Sequence, residues 1–271
     1  MSVFVLFVLA LVAGTLSTLF WIPEKDLGRG YFQLNALIVL GLLALVMAVV
    51  LLHPIQPFGP QDDSGMALLW ISVGAVLLYY GAVWVERWQW VRIPAAMALI
   101  AVAWALLLSG TTLIEARTPL PYRQILLISS LSSSAILLGW SLVTMLLGHW
   151  YLISPKLSFR HLVTFCRVLT AAVVLRAIVV GTSLAAARSV DPFVMPHPWS
   201  LLVDLGGQGM FFWFRILWGL AIPLLLALMS LHCARNRSNQ SATGILYVLL
   251  MGSLIGEITA LYLSVTTGVP L

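Results

Sequence analysis

The stretch Gln124–Tyr151, QILLISSLSSSAILLGWSLVTMLLGHWY, contains no Lys, Arg, Asp or Glu. A helix needs about 20 mostly apolar residues to span a membrane, so this stretch is long enough. Its apolar residues do not alternate with polar ones, as they would in a membrane β-strand. The stretch therefore predicts a transmembrane helix.

The composition of the whole chain agrees with this interpretation. Of the 271 residues, 61% are hydrophobic and only 8% are charged, whereas soluble proteins carry about 25% charged residues. A water-soluble globule and a disordered chain are both excluded, because each needs more polar surface. The net charge of +5 does not indicate nucleic-acid binding, since the basic residues are scattered between apolar runs and form no basic face.

Eight apolar runs meet or approach the length of a membrane span. They are residues 2–22, 31–52, 66–85, 93–114, 124–151, 161–187, 209–232 and 242–268. The longest gap between them is about twenty residues, so no soluble domain is expected. We predict an all-α polytopic protein, a bundle of about eight transmembrane helices, in which residues 1–271 form a single integral membrane domain. The sequence shows no convincing internal repeat.

The orientation follows from the Lys and Arg residues in the loops, which favour the cytoplasmic side. The loops after the odd-numbered spans hold Lys25, Arg29, Arg87, Arg92, Lys156, Arg160, Arg235 and Arg237, and the other side holds Arg117, Arg123 and Arg188. This asymmetry predicts that both termini are extracytoplasmic, in a multi-pass protein of the cytoplasmic membrane. Membrane lipid is then expected to surround the protein.

Ionisable residues inside the spans are confined to the second half of the chain. Counting about 1.5 Å per residue places Arg176, Arg215 and Glu257 at a similar depth in the extracytoplasmic half. Arg167 lies on the opposite face of its helix from Arg176 and is expected to extend to the interface. Intramembrane charges are costly and usually functional. Two interpretations remain open: a structural Arg–Glu pair, or groups that line a cavity for a redox or transported ligand.

His53 ends the second span and is followed by Pro54, which cannot continue a helix. The imidazole is thereby placed at the extracytoplasmic boundary. Oxidation of a quinol needs a titratable group there, because a hydroxyl proton must leave with the electrons. Asp62 or Asp63, at the start of the third span, are candidates to pass this proton on. The alternative is a simple helix-ending turn with a surface histidine.

A transmembrane b-type haem would need two imidazoles that face each other from neighbouring helices. His149 and His232 are the best candidates for such a pair, although neither is clearly in the middle of a span. Haem b is therefore the alternative cofactor to a quinone. No Cys-x-x-Cys occurs, and the sequence indicates neither a covalent haem, nor an iron–sulfur site, nor any other metal site.

Three segments carry a resemblance to a known family. They are Leu52–Phe58, with its His-Pro turn; the small-residue stretch Ile128–Gly139; and the pairing of Phe214–Leu217 with Gly252–Glu257. With the eight spans, they resemble the membrane anchors of dimethyl-sulfoxide reductase and polysulfide reductase. The resemblance implies a membrane subunit that binds quinone and docks an iron–sulfur or multihaem electron-carrying subunit. The site histidine of the family would correspond to His53, and its acidic neighbour to Asp62 or Asp63.

The leading hypothesis is therefore a quinone-interacting anchor of an oxidoreductase complex, a non-catalytic or quinone-site subunit without catalytic residues of its own. Its candidate site residues are His53, Asp62, Asp63, Tyr80, Arg176, Arg215 and Glu257. The second hypothesis is a small-molecule or ion transporter that uses the intramembrane Arg and Glu residues. A haem-binding cytochrome subunit is a variant of the first. A lipid-modifying enzyme is less favoured, because no compact catalytic cluster is visible at either interface.

Overall fold

The computed structural model describes residues 2–21, 24–52, 63–114, 120, 122–153, 160–190, 198–203 and 208–271. These residues are almost entirely helical, and no strand occurs among them. The α-helices are α1 (Ser2–Thr18), α2 (Glu24–Leu52), α3 (Asp63–Trp84), α4 (Trp88–Leu113), α5 (Arg123–Ile153), α6 (Arg160–Arg188), α7 (Pro198–Val203), α8 (Gln208–Ile216), α9 (Ile222–Arg235) and α10 (Asn239–Thr267). A short π-helical segment, Leu217–Ala221, joins α8 to α9.

Within the described residues, eight helical stretches are long and apolar enough to cross a membrane, which confirms the prediction of an all-α, multi-pass membrane protein. The bounds differ mainly at the start of two spans: α2 begins at Glu24 where the predicted span begins at residue 31, and α4 begins at Trp88 where it begins at residue 93. The link between the predicted runs 66–85 and 93–114 is therefore shorter than expected, because α4 begins at Trp88 and takes in Pro94 near its start. Pro94 is the seventh residue of α4 and lies inside the helix, where a proline cannot donate a hydrogen bond to the carbonyl four residues earlier, here that of Trp90.

The first four helices form a closed ring. Along this ring α1 contacts α2, α2 contacts α3, α3 contacts α4, and α4 returns to α1. The last four spans repeat the arrangement. There α5 contacts α6, α6 contacts α9, α9 contacts α10, and α10 returns to α5. The eight described spans thus form two four-helix bundles with the same helix order.

The contacts between the bundles also follow a two-fold pattern. The first helices of the two bundles, α1 and α5, pack against each other, and each also touches the last helix of the other bundle. Because four spans separate equivalent helices, equivalent helices run in the same direction through the membrane. Repeats whose equivalent helices are parallel also occur in some transporters. This structural repeat was not detected in the sequence.

The turns between the third and fourth span of each bundle have the same backbone geometry. Glu86 and Arg237 both have a φ of 58°, and each donates its N–H to the carbonyl three residues earlier at 3.2 Å. The following residues, Arg87 and Ser238, donate to the carbonyl five residues earlier at 3.1 and 3.0 Å. These two bonds are the pattern of a Schellman helix end. The repeat therefore extends to local structure.

Glycine permits the close contact between the two bundles. Gly14 of α1 lies against Gly139 of α5, and a Cβ atom on either residue would overlap the backbone of the other helix. Small residues allow membrane helices to approach closely, so that their backbones pack directly. This contact fixes α5 in the centre of the protein, with α1 on one side and the last spans on another.

The seventh span is interrupted at the π-helical segment. The N–H of Ile222 bonds to the carbonyl of Leu217, five residues earlier, and Pro223 follows immediately. A proline ring clashes with the carbonyl four residues before it, which here belongs to Gly219. The wider π-turn relieves this clash. Pro223 is thus accommodated in the seventh span by a π-helical turn that begins shortly after Arg215.

Candidate functional site: a buried Arg–Glu–Arg cluster

The serine-rich part of α5 forms one wall of a polar site in the second bundle. Ser130, Ser133 and Ser134 are spaced three and four residues apart, so they share one face of the helix. All three are buried. This face is directed at α6 and α10, which carry Arg176 and Glu257.

Arg176, Glu257 and Arg215 form a continuous ion cluster, and their side chains are at most 1% exposed. Nε of Arg176 donates to both carboxylate oxygens of Glu257 at 3.1 Å, and its Nη2 donates to Oε2 at 2.7 Å. Nη2 of Arg215 donates to Oε1 at 2.6 Å. The Arg–Glu pair that the sequence left as one of two interpretations is therefore present, and it includes both arginines.

The guanidinium of Arg176 is saturated with acceptors. Its Nη1 donates to the carbonyl and the hydroxyl of Ser130, both at 3.1 Å, and to the hydroxyl of Ser133 at 3.2 Å. The hydroxyl of Ser134 donates to Oε2 of Glu257 at 2.7 Å. Such saturation offsets much of the cost of burying an ion pair. Arg176 and Glu257 are thus firmly held by α5.

Arg215 is bound much less completely than Arg176. Its Nε and Nη1 are buried and have no hydrogen-bond partner among the described residues. One carboxylate faces two guanidinium groups, so the three side chains together carry a net charge of +1. A buried donor without an acceptor is costly. Arg215 is therefore the member of the cluster that is able to bind a further oxygen atom.

Residues 268–271 close one end of the cluster. Gly268 ends α10 in the left-handed conformation, with a φ of 73°, and turns the chain back into the bundle. The carbonyl of Leu271 accepts hydrogen bonds from Nη2 of Arg176 and from the hydroxyl of Ser130, both at 2.8 Å. Its N–H donates to the hydroxyl of Ser264 at 2.9 Å. This segment separates Arg176 from the membrane surroundings.

Two glycines allow α10 to approach the π-helical segment beside Arg215. A Cβ on Gly219 would lie 2.8 Å from the Cα of Gly256 and would overlap Nη1 of Arg215. A Cβ on Gly256 would overlap the Cα of Gly219. The position of the Arg215 guanidinium therefore depends on the absence of side chains at both residues.

Replacing Gly256 by alanine should push the seventh span away from α10 and weaken the Arg215–Glu257 contact. We expect a loss of about 1–3 kcal/mol, the usual cost of overpacking, measured as a lower thermal unfolding midpoint in detergent. Gly244 lies on the same helix with open space around its Cα, so G244A is the matched control. Equal midpoints for G256A and G244A would contradict the inferred contact.

Four other predicted residues lie away from the cluster or outside the description. His53 and Asp62 lie outside the described residues, and Asp63 begins α3 but its side chain is not described. Tyr80 is half-buried on α3, in the first bundle, whereas the ion cluster lies in the second. The proposed proton route from His53 through Asp62 or Asp63 remains a prediction.

The two histidines considered for haem have partners of a different kind. Nδ1 of His149 lies 3.1 Å from the hydroxyl of Tyr247, and Nε2 of His232 lies 3.0 Å from Nδ2 of Asn236. Both contacts are exposed. Haem ligation by this pair stays a prediction. Arg167 is exposed whereas Arg176 on the same helix is buried, and the extension of Arg167 to the interface stays a prediction.

A cavity of about 170 Å³ lies between α1, α4 and α5. Gly14, Ser17, Ala103, Ser132 and Ala135 are among the residues that line it. Ser132 is a neighbour of the serines that face the ion cluster, so α5 has the cavity along one side and the cluster along another. In the sequence, the serine stretch itself indicated this arrangement. Which of its serines face the cavity and which face the cluster could not be assigned from the sequence.

Comparison with known proteins gives no further guide to the site. No protein-family model matches the sequence, and neither a curated protein nor a solved structure is detectably similar to it.

Proposed function

We propose that this protein is a quinone-interacting integral membrane subunit of a multisubunit electron-transfer complex. The observation that carries the proposal is the buried cluster of Arg176, Glu257 and Arg215, with its surplus positive charge and the two unpartnered donors of Arg215. Intramembrane ionisable groups mark ligand and proton pathways.

A quinone suits a site of this charge. The neutral quinone partitions into the membrane, but its reduction or the oxidation of its quinol passes through anionic oxygen species. Fixed donors that are buried away from water stabilise such developing charge strongly. Nε and Nη1 of Arg215 are donors of this kind, because neither has an acceptor among the described residues. In this proposal Arg176 and Glu257 hold Arg215 in place.

The cavity between α1, α4 and α5 supports the same function. It is lined mainly by apolar and small residues, with the hydroxyls of Ser17 and Ser132 as polar groups. Ligand sites of small molecules commonly combine apolar walls with a few polar groups. Because this cavity and the ion cluster lie on different sides of α5, the cavity is a second candidate position for the quinone, separate from Arg215.

The orientation and partners belong to the same proposal. Both termini are extracytoplasmic and the membrane is the cytoplasmic one, as the distribution of Lys and Arg favours. His53, with Asp62 or Asp63, forms the proton exit, and Tyr80 is a further lining residue. The electrons are exchanged with an iron–sulfur or multihaem subunit of the same complex, as the family resemblance implies.

The test is purification from native membranes in mild detergent, followed by quinone extraction and quinol-linked electron transfer. We expect an electron-carrying subunit and bound quinone to copurify. R215Q, which leaves the Arg176–Glu257 pair intact, should lower the turnover at least about tenfold, equivalent to about 1.4 kcal/mol. R167Q, on the exposed face of α6, is the matched control. Isolation of the protein alone, without quinone, or unchanged turnover in R215Q would contradict the proposal; the visible spectrum of the sample tests the haem variant.

A transporter is the second candidate, and two structural observations favour it. The two bundles repeat the same helix order, and the seventh span is interrupted by a π-helical segment directly beside Arg215. Parallel repeats and interrupted helices are common in transporters, whose binding sites lie near the interruption. Uptake of an organic anion into liposomes that contain only this protein, abolished by R215Q, would favour this function over electron transfer.

A further inference from the structure

An open groove lies at the end of the first bundle where α3 turns into α4. It has a volume of about 530 Å³ and is lined by Leu77, Leu78, Gly81, Ala82, Val85, Arg87 and Trp90. Gly81 has open space where a side chain would project. The groove is therefore an apolar channel on the outside of the bundle, with one cationic side chain at its end.

Within the described parts of the chain, no carboxylate neutralises the cation of this groove. Arg87 is exposed, and its guanidinium has no hydrogen bond or ion pair with any residue in the described part of the chain. The neighbouring carboxylate of Glu86 instead pairs with Arg29 at 3.3 Å. Arg87 thus offers a free guanidinium, and guanidinium groups bind phosphate through two parallel hydrogen bonds.

The aromatic residues place this end of α3 and α4 at the depth of lipid headgroups. Trp84 is 62% exposed and Trp90 is 54% exposed, and tryptophan is enriched where a membrane protein meets the headgroup region. A second groove of about 450 Å³, lined by Leu68, Met97 and Trp104 among others, lies further along the same two helices. An extended hydrocarbon chain fits this arrangement better than a compact ligand.

We propose that the groove binds an anionic phospholipid, with its phosphate on Arg87 and an acyl chain along Leu77, Gly81 and Val85. Basic residues at the cytoplasmic end of neighbouring membrane helices commonly bind acidic headgroups. The charge of Arg87 favours an anionic lipid over a zwitterionic one. The apolar groove favours a lipid, which has an acyl chain, over free phosphate, which has none. The site is separate from the ion cluster, which lies in the other bundle, and it does not depend on the proposed quinone function.

The charge of the site is tested by lipid retention. The purified, delipidated protein is mixed with phosphatidylglycerol and phosphatidylcholine of identical acyl chains, and bound lipid is counted by native mass spectrometry. We expect the wild type to prefer phosphatidylglycerol and R87Q to lose this preference, with at least about a fivefold lower occupancy. R235Q, in the equivalent turn of the second bundle, is the matched control. Equal losses in R87Q and R235Q would overturn the proposal in favour of diffuse surface charge.

The groove itself is tested by filling it. G81L places a side chain in the channel, in space that is open, and should lower the occupancy of both lipids without changing any charge. Gly181 of α6 is also surrounded by open space, so G181L controls for the added bulk. Size-exclusion chromatography shows whether each variant is folded. Unchanged retention in G81L, or a partner protein crosslinked to Trp90 in the intact complex, would overturn the proposal.

Discussion

Replacing Glu257 by glutamine is expected to destabilise this protein by about 3–5 kcal/mol, because it leaves two buried guanidinium groups without a counter-charge. In the folded protein the carboxylate accepts charged hydrogen bonds from both Arg176 and Arg215. An amide can accept at one atom only, and its NH₂ group would face the donors of an arginine. We expect a large fall in the thermal unfolding midpoint and in the yield of monodisperse protein in detergent.

R215Q should have only a small effect on the free energy of unfolding. Comparing it with E257Q therefore distinguishes an effect of unbalanced charge from an effect of altered packing. R215Q leaves the Arg176–Glu257 pair in place and removes two buried donors without partners, so we expect a change below about 1 kcal/mol. The double variant E257Q/R215Q restores the net charge of +1 and should recover part of the loss. A mild effect of E257Q, similar to that of R167Q, would show that the cluster does not hold these helices together.

The fold class followed from the sequence because membrane spans are a property of composition and length. The eight apolar runs correspond to the eight spans, within a few residues at most ends. The arrangement of the spans did not follow. Inside a membrane, close packing at small residues, rather than an apolar face, determines which helices pack together. Gly14 and Gly139 determine the contact of α1 with α5, but no periodic pattern in the sequence marks these two residues. The repeat of the two bundles could not be predicted from the sequence either. It appears only in which helices contact each other and in the backbone geometry of two turns.

Only part of the ion cluster could be predicted from the sequence. Depth counting along straight helices brought Arg176, Arg215 and Glu257 to one level, because a helix rises by a fixed distance per residue. The serines of α5 could have been added, since Ser130, Ser133 and Ser134 share a face. The return of Leu271 into the bundle could not, because it depends on a left-handed Gly268 after the last helix. Nor could the unequal binding of the two arginines, of which only Arg215 has buried donors without partners among the described residues.

The packing of the two bundles is the feature most sensitive to a single added side chain. A leucine at Gly139 would project into the backbone of α1 at Gly14, and a backbone has no rotamer by which to move aside. Overpacking against side chains costs about 1–3 kcal/mol, so we expect G139L to lose at least about 3 kcal/mol.

The measurable result for G139L is the absence of a monodisperse folded species in size-exclusion chromatography. Gly41 of α2 has open space where a side chain would project, so G41L adds the same bulk without a clash and should behave like the wild type. Because α5 also carries the serines that bind Arg176 and Glu257, any displacement of this helix is transmitted to the ion cluster. G139L should therefore impair function even where some protein is recovered, and wild-type midpoints and activity in G139L would refute the close packing of α1 against α5.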